Sequence, residues 1–486
     1  MQAFDVLVIG GGVNGAGIAR DLSGRGHSIL LVEQGDLAQA TSSASSKLIH
    51  GGLRYLEHYE FRLVREALGE REVLLKLAPH IIWPLRFVLP HRPEMRPRWL
   101  IRAGLFLYDH LARRVSLPGA ESFRVAGNPM GAALKPEITH AFAYSDAWVE
   151  DSRLVLLNAL DAKRRGADIR TRTRFEDATR HADHWQVTLR GADGQPRHIR
   201  ARGIVNAAGP WVQAALDAAH TTKPGAVRLI RGSHIVVPRL YAGEHAFILQ
   251  NDDRRVVFAI PYEENFSLIG TTDVPHAGDA GTAHCTPEEA EYLCAAVSRQ
   301  FRRGITPSEI VWSYSGVRPL FDDGADDPSA VTRDYVLKLD VAAAPLLSIY
   351  GGKITTFRRL AEEASGLIGK ALGREGTPWT AGAVLPGGDL GGRNIADYAA
   401  EMARALPFLD PASLPRLVRT HGSDLTRVFA SGTAGAALGA GLTETELEWM
   451  RREEWAMTAE DVLWRRTKLG LHMSAAEREG VAARFA

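Results

Sequence analysis

Apolar positions along the chain alternate between two textures. The first appears at once: residues 5–9 (DVLVI) form a short continuous apolar run, as a buried parallel strand requires, and a helix-compatible stretch follows to about Gly24. Residues 27–33 (HSILLVE) then read as a second strand. The same alternation returns over 145–215, with a helix through 154–157, strands near 167–173 and 185–189, and an apolar run at 203–211 (GIVNAAGPW) suited to lie beside the first strand. It returns again at 346–350 (LLSIY), which is followed by two glycines and a helix to about Leu372. The second texture fills 227–337, where short β-type runs such as 233–238 (SHIVVP), 256–260 (VVFAI) and 266–272 (FSLIGTT) are separated by polar turns. Residues 56–77 carry apolar positions at helical spacing, Leu63, Ala67, Leu74 and Leu77, and predict an exposed amphipathic helix without evident chemistry. Past the Pro386-Gly-Gly388 break, residues 389–486 read as helices, with capping boxes at Thr458/Asp461 and Ser474/Glu477.

These patterns predict an α/β protein with a discontinuous Rossmann-like nucleotide-binding domain at 1–80, 145–215 and 340–375. A mixed or antiparallel-sheet substrate domain is expected at 81–144 and 216–339, and a helical cap at 385–486. A length of 486 residues suits two or three cores. Hydrophobic residues at 45% and charged ones at 24% are ordinary for a globular chain. The formal charge of +1 gives nothing global that would recruit nucleic acid. Two cysteines, Cys285 and Cys294, flank a helix start at Thr286-Pro-Glu-Glu289 and form no metal or redox motif; their scarcity suits a reducing compartment. The first strand begins within a few residues of Met1, which leaves no room for a leader and predicts a cytosolic start. No stretch approaches the ~18 apolar residues of a membrane-spanning helix.

The chemistry-bearing residues concentrate where the first texture turns. Gly10, Gly12 and Gly15 fit G-x-G-x-x-G between strand and helix. The first glycine permits the tight turn, the second lets backbone approach a pyrophosphate, and the third lets helix pack on strand. Glu33 ends the second strand about 20 residues on, where a ribose hydroxyl needs an acceptor. The motif alone leaves FAD and NAD open. Residues 40–55 are rich in hydroxyls and run into Lys47, His50, Gly51, Gly52, Arg54 and Tyr55, which suits contact with a pyrophosphate and a flat ring. Gly351-Gly-Lys353 with Thr355 and Thr356 forms a further anion-binding turn. Between Arg86 and Arg114 seven arginines face two acids, interleaved with Trp99 and Phe106; this stretch reads equally as an interfacial helix on a bilayer or as a helix packed on the core.

The serine segment, the run from Gly51 to Tyr55, Ser315-Gly-Val-Arg-Pro319 and Gly351-Gly-Lys353 together closely resemble the FAD-dependent glycerol-3-phosphate dehydrogenases. The resemblance covers essentially the whole chain and is most specific over 41–61. It implies oxidation of sn-glycerol 3-phosphate to dihydroxyacetone phosphate, reduction of FAD, and delivery of electrons to quinone by a peripheral protein on the cytoplasmic side of the inner (plasma) membrane. It also implies that Gly10, Gly12, Asn14, Gly15, Glu33, Ser42, Ser46, Lys47, His50 and Gly51, with Ala208, Gly209, Gly352 and Thr355, hold FAD. Arg54, Tyr55, Thr271, Arg318, Arg333 and Lys353 fall where the family binds the triose phosphate. Arg318 or Lys353 would stabilise the developing alkoxide as hydride leaves C2 for flavin N5. A base must take the hydroxyl proton, with His234 the first candidate and His50 the second. A flavin amine or amino-acid oxidase would need one bidentate arginine for a carboxylate, so the cationic cluster favours phosphate. A flavin-binding membrane-surface protein without turnover is the reading from another class, and an NAD enzyme would leave residues 41–52 without a role. A homo-oligomer is compatible with the chain.

Overall fold

The strand–turn–helix–strand opening is present as β1 (Gln2–Ile9), α1 (Val13–Gly24) and β2 (Ile29–Val32). It is seen in a computed structural model that describes residues 1–485 other than 54, 55, 57, 58, 113, 114, 116, 254 and 323–333. β1 is central because its Val6, Leu7 and Val8 are fully buried, as a strand covered on both faces demands. It pairs in parallel with β2 on one side and with Pro196–Asn206 on the other, Val6 opposite Gly203. The run at 203–211 thus lies where its apolar pattern suggested. Leu346–Tyr350 extends the sheet in parallel and Asp168–Arg170 closes its other edge. Val336–Asp340, Trp185–Arg190 and Arg174–Arg180 add antiparallel pairs, giving eight strands among the described residues.

Three further helices bear on the site: α2 (Phe61–Leu77), α3 (Arg98–His110) and α4 (Asp151–Arg164). Among the described residues the second sheet has ten strands and is antiparallel except where Ala246–Gln250 meets Ile82–His91. Its spine is Ala226–Pro238 between Trp312–Asp322 and Phe266–Gly270. Apolar side chains of α1, α4 and Phe357–Ala371 form one core against the first sheet, and Pro287–Gln300 packs a separate core on the second. Thr286 caps that last helix with both hydrogen bonds of the box. The C-terminal region has cores of its own. It is helical apart from a small hairpin, Ala437–Gly439 with Leu442–Thr443.

Three boundaries differ from the sequence expectation. Leu48–Ile49 pairs with His140–Val149 in the second sheet, not in the nucleotide sheet, and His140–Val149 runs through the expected border at 145. Val336–Asp340 belongs to the first sheet. Pairing partners distant in sequence decide these edges, and local pattern carries no information about them. α2 differs as well: Glu70, Arg71 and Glu72 are buried beside its apolar face. Arg358 donates to both oxygens of Glu70, at 2.7 and 2.5 Å, while Arg71 donates to Asp146 at 2.6 Å. Charges on that face are inside because each has a partner there.

Candidate active site

The glycine turn is built as its spacing requires. Gly10 has φ +107°, and a Cβ there would come within 2.5 Å of the Ala207 carbonyl oxygen. A Cβ on Gly15 would collide with the Gly10 carbonyl, so α1 can approach β1 only with glycine at this position. Glu33 accepts the Gly11 N–H at 2.7 Å and the Gly35 N–H at 2.8 Å, and burial raises its pKa. Ser42 Oγ accepts the Val13 N–H at 3.0 Å at the start of α1. Asn14 Nδ2 donates to the Gly351 carbonyl at 3.2 Å, which ties the first glycine turn to the second.

Around these residues lies a cavity of about 800 Å³. Gly10, Gly12, Asn14, Glu33, Ser42, Ala208, Gly209 and Gly352 all line it, and it runs from the Glu33 turn to Ser315 and Pro319 on the second sheet. A long groove that joins a helix N-terminus and acidic strand end to a second glycine turn has the shape of an extended dinucleotide. The buried Asn14 Oδ1, which has no hydrogen-bond partner among the described residues, adds an acceptor beside it. The donor set fits FAD.

Ser46, Lys47, His50, Gly51 and Thr355, also expected on the cofactor, do not line that cavity. Lys47 is turned away from the cavity. Its ammonium is 0% exposed, pairs with Asp151 at 2.8 Å and donates to the Ser43 carbonyl at 3.1 Å, so it holds the serine loop onto α4. Ser46 Oγ bonds His234 Nε2 at 2.8 Å, and the His234 ring stacks on Tyr314 at 4.9 Å. Thr355 Oγ1 accepts the His50 N–H at 3.2 Å and faces its carbonyl at 3.3 Å. The Gly51 N–H donates to Tyr108 Oη at 2.9 Å.

Two of the substrate candidates, Arg318 and Thr271, stand together on the second sheet. Arg318 lies on Trp312–Asp322 opposite Ile230, donates to the Thr272 carbonyl at 3.1 Å and is 39% exposed, so its guanidinium still reaches solvent. A Cβ on Gly232 would sit 2.5 Å from that guanidinium and 2.6 Å from Thr271 Oγ1; the missing side chain leaves both their room. Half-buried His50 lies 6.4 Å from the Phe258 ring, and Phe258 is the strand partner of Gly270, the residue before Thr271. Burial lowers the His50 pKa; Asp146 opposes that shift and the nearby Lys353 adds to it. His234 is pushed down to about 3 by burial, Lys47 and Arg318, and is neutral near pH 7. Arg54, Tyr55 and Arg333 lie outside the described residues.

Several supporting residues were missed. Glu289, a helix cap by its spacing, also accepts from Thr272 Oγ1 at 2.6 Å and Ser233 Oγ at 2.9 Å, so it ties the backbone next to Thr271 to the middle of the strand that carries His234. Asp146 and Tyr108 stand behind Gly51, the Tyr108 hydroxyl donating to Asp146 at 2.8 Å. Their sequence neighbours carry no motif, and only the fold brings them to the site.

Two family models match the chain: an FAD-dependent oxidoreductase over residues 5–358, and the C-terminal domain of alpha-glycerophosphate oxidase over 378–483. The chain is 50% identical to the aerobic glycerol-3-phosphate dehydrogenase of Escherichia coli, covering 99% of this chain and 97% of that one. It is 49% identical to the D-erythritol 1-phosphate dehydrogenase of Brucella abortus, covering 98% and 96%. A solved glycerol-3-phosphate dehydrogenase from Bacillus halodurans, complexed with FAD, superposes with a TM-score of 0.80 at 26% identity, covering 99% of this chain and 91% of that one. With its glycine turns, dinucleotide cavity and C-terminal unit, the chain belongs to the FAD-dependent oxidoreductases of the glycerol-3-phosphate dehydrogenase family.

Proposed function

We propose that the chain oxidises the C2 hydroxyl of sn-glycerol 3-phosphate to dihydroxyacetone phosphate and passes the electrons to quinone at a membrane surface. What supports the reading is a cavity lined as FAD requires, reaching Ser315 and Pro319 on the strand that carries Arg318, with Thr271 Oγ1 and the Arg318 guanidinium both beside Gly232. Cations of this kind offset the desolvation of a phosphate dianion, which a single bidentate arginine for a carboxylate would not need to do. Bound FAD supplies the two-electron acceptor for the hydride from C2. Arg318 steadies the oxygen on which charge develops. For the base we now favour His50 over His234. His234 is 3% exposed, is held by Ser46, and has a pKa of about 3, so it takes up a proton poorly; it serves instead to fix Ser46. Half-buried His50 feels the charge of Lys353, and its backbone is pinned by Thr355.

α3 supports attachment to lipid. Trp99 is 71% and Phe106 65% exposed, with Leu100 and Leu107 beside them, while Leu105 and Tyr108 face inward. Arg98 and Arg102 lie on this helix and Arg96 just before it, a composition that suits the headgroup region of an anionic leaflet. No helix among the described residues is long and apolar enough to cross a membrane. We assign the chain to three units: the cofactor sheet with its helices, the antiparallel substrate sheet, and the C-terminal helices.

Turnover with a soluble quinone analogue tests the reading. We expect kcat/KM for sn-glycerol 3-phosphate to exceed that for D-erythritol 1-phosphate, and amino acids to give no turnover. Preference for the four-carbon phosphate would move the substrate assignment, and turnover of amino acids would overturn it.

A further inference from the structure

The C-terminal unit has no part in the chemistry above, yet its segment Asp461–Arg466 reaches the cofactor cavity from behind. The contact is made through Asp36, three residues past Glu33 and 0% exposed. Glu33, Gln34, Gly35, Ala38 and Gln39 line the cavity; Asp36 does not, and its carboxylate turns the other way. There it accepts from Arg465 Nε at 2.6 Å and from both terminal nitrogens of Arg466 at 2.7 Å, partners 429 and 430 positions further along the chain. Arg172, 3.7 Å from the same carboxylate, donates to Asp461 at 2.6 Å, and Asp461 in turn accepts from Arg465 at 2.5 Å. Arg466 also donates to the Glu454 carbonyl at 2.9 and 2.6 Å, while the Glu454 side chain accepts from Arg153 of α4 at 2.7 Å. Each buried charge in this cluster faces an opposite one, the condition under which such charges hold a defined geometry.

The inner side of the same turn meets the cofactor site. Glu33 binds the Gly11 and Gly35 N–H groups, Ala38 N–H donates to the Gly11 carbonyl at 3.0 Å, and Arg172 N–H donates to the Gly35 carbonyl at 2.9 Å. Residues 33–39 are therefore one hydrogen-bonded turn with a cofactor face and a C-terminal face. The C-terminal segment also reaches the ring end. Trp464 stacks on Trp312 at 4.6 Å, Trp312 lies 5.0 Å from Tyr314, and Tyr314 carries the His234 ring. Lys468 Nζ donates to Ser152 Oγ at 3.2 Å, next to the Asp151 that holds Lys47.

We propose that the C-terminal helical unit is a cofactor-retaining brace, with Asp36, Arg465 and Arg466 as positioning residues that hold turn 33–39 in the shape that receives the adenosine half of FAD. Without the clamp, FAD itself would have to order the turn, and that entropy would subtract from its affinity. The coupling is reciprocal: FAD binding must also steady the C-terminal segment. The inference rests on FAD dependence and not on the substrate's identity, so it and the substrate reading fail separately.

The test is FAD affinity of the full chain, measured by titrating apoprotein and following flavin fluorescence. Asp36→Asn and Arg466→Lys are expected to raise the FAD Kd at least about tenfold, a typical coupling between linked sites. With FAD saturating, kcat should stay within about twofold of wild type, because neither residue touches substrate. Arg484→Gln, which breaks an exposed pair with Glu444 in the same unit, should leave Kd unchanged. Folded Asp36 or Arg466 variants, shown by an unaltered circular dichroism spectrum, that bind FAD with the wild-type Kd would overturn the proposal. Should both variants fail to fold, hydrogen exchange of the wild type decides. FAD must slow exchange of the amides of residues 462–467, and exchange there that is indifferent to FAD would overturn the brace.

Discussion

Removing one oxygen atom, by Tyr108→Phe, separates a merely packed ring from one that positions the site. The Tyr108 ring is 2% exposed, and its hydroxyl donates to Asp146 at 2.8 Å while accepting the Gly51 N–H at 2.9 Å. Burial and the Asp146 charge hold its pKa well above the usual value, so the phenol stays a neutral donor at any working pH. Phenylalanine takes away one bond to a charged acceptor and leaves a buried N–H without its nearer partner. These losses are each worth about 1–3 kcal/mol. Arg71 still holds Asp146 at 2.6 Å, and the Gly51 N–H retains a longer contact with Asp146 at 3.4 Å. The net cost should therefore lie near 2–3 kcal/mol, short of the full sum. Gly51 adjoins His50, and a Cβ on Gly51 would sit 2.7 Å from the Tyr108 hydroxyl, so the loop rests directly on it. If about half of the loss is felt as misplacement of His50, kcat/KM falls about tenfold. Urea unfolding followed by tryptophan fluorescence measures the first quantity, and steady-state kinetics at saturating FAD the second. Tyr350→Phe is the control, since the Tyr350 hydroxyl has no hydrogen-bond partner among the described residues. A Tyr108→Phe protein within about 0.5 kcal/mol of wild type, with unchanged kcat/KM, would show that the hydroxyl does not position the loop.

Three further outcomes are expected. Arg318→Ala should lower kcat/KM at least about 100-fold while moving stability by less than about 1 kcal/mol, because the side chain is 39% exposed; unchanged turnover would remove it from the site. His80→Leu should flatten the acid limb of stability. Burial first, then Arg153, His421 and Arg419, push the buried His80 down to about 3, against ~6.5 when unfolded, so the unfolded chain binds the extra proton between these values. Stability from this group is thus whole above about pH 6.5 and falls by ~1.4 kcal/mol per unit as pH drops toward 3; parallel slopes for wild type and variant in urea midpoints would contradict this. Flotation with anionic vesicles should be lost in an Arg96→Glu, Arg98→Glu double variant, at ~1 kcal/mol for each charge removed and again for each acid introduced, and equal flotation would take α3 off the membrane.

Local rules made the cofactor half of the site legible. Gly10, Gly12, Gly15 and Glu33 lie within one strand–turn–helix–strand unit, where spacing alone places them. The Thr286–Glu289 cap was readable for the same reason, but its second duty toward Thr272 and Ser233 was not, because those partners come from strands of the second sheet. A lysine among serines beside a nucleotide motif reads as an anion ligand, and the pairing of Lys47 with Asp151 is invisible locally because α4 lies about a hundred residues on. The charged face of α2 looked solvated because its partners, Arg358 and Asp146, are 288 and 75 residues away. Binary patterning assumes that charge means water, and it fails wherever tertiary pairing supplies the compensation. The Asp36 clamp is the extreme case, with both partners near the other end of the chain.

Hydride transfer from C2 of a polyol phosphate to the flavin bound in this cavity is the step that defines the enzyme. Stopped-flow mixing of the anaerobic, FAD-loaded protein with sn-glycerol 3-phosphate, unlabelled and deuterated at C2, tests it most directly. Loss of the oxidised flavin's visible absorbance is expected with both substrates, slower with deuterium; a flavin that stays oxidised, or that is reduced only by an amino acid, would contradict hydride transfer from C2.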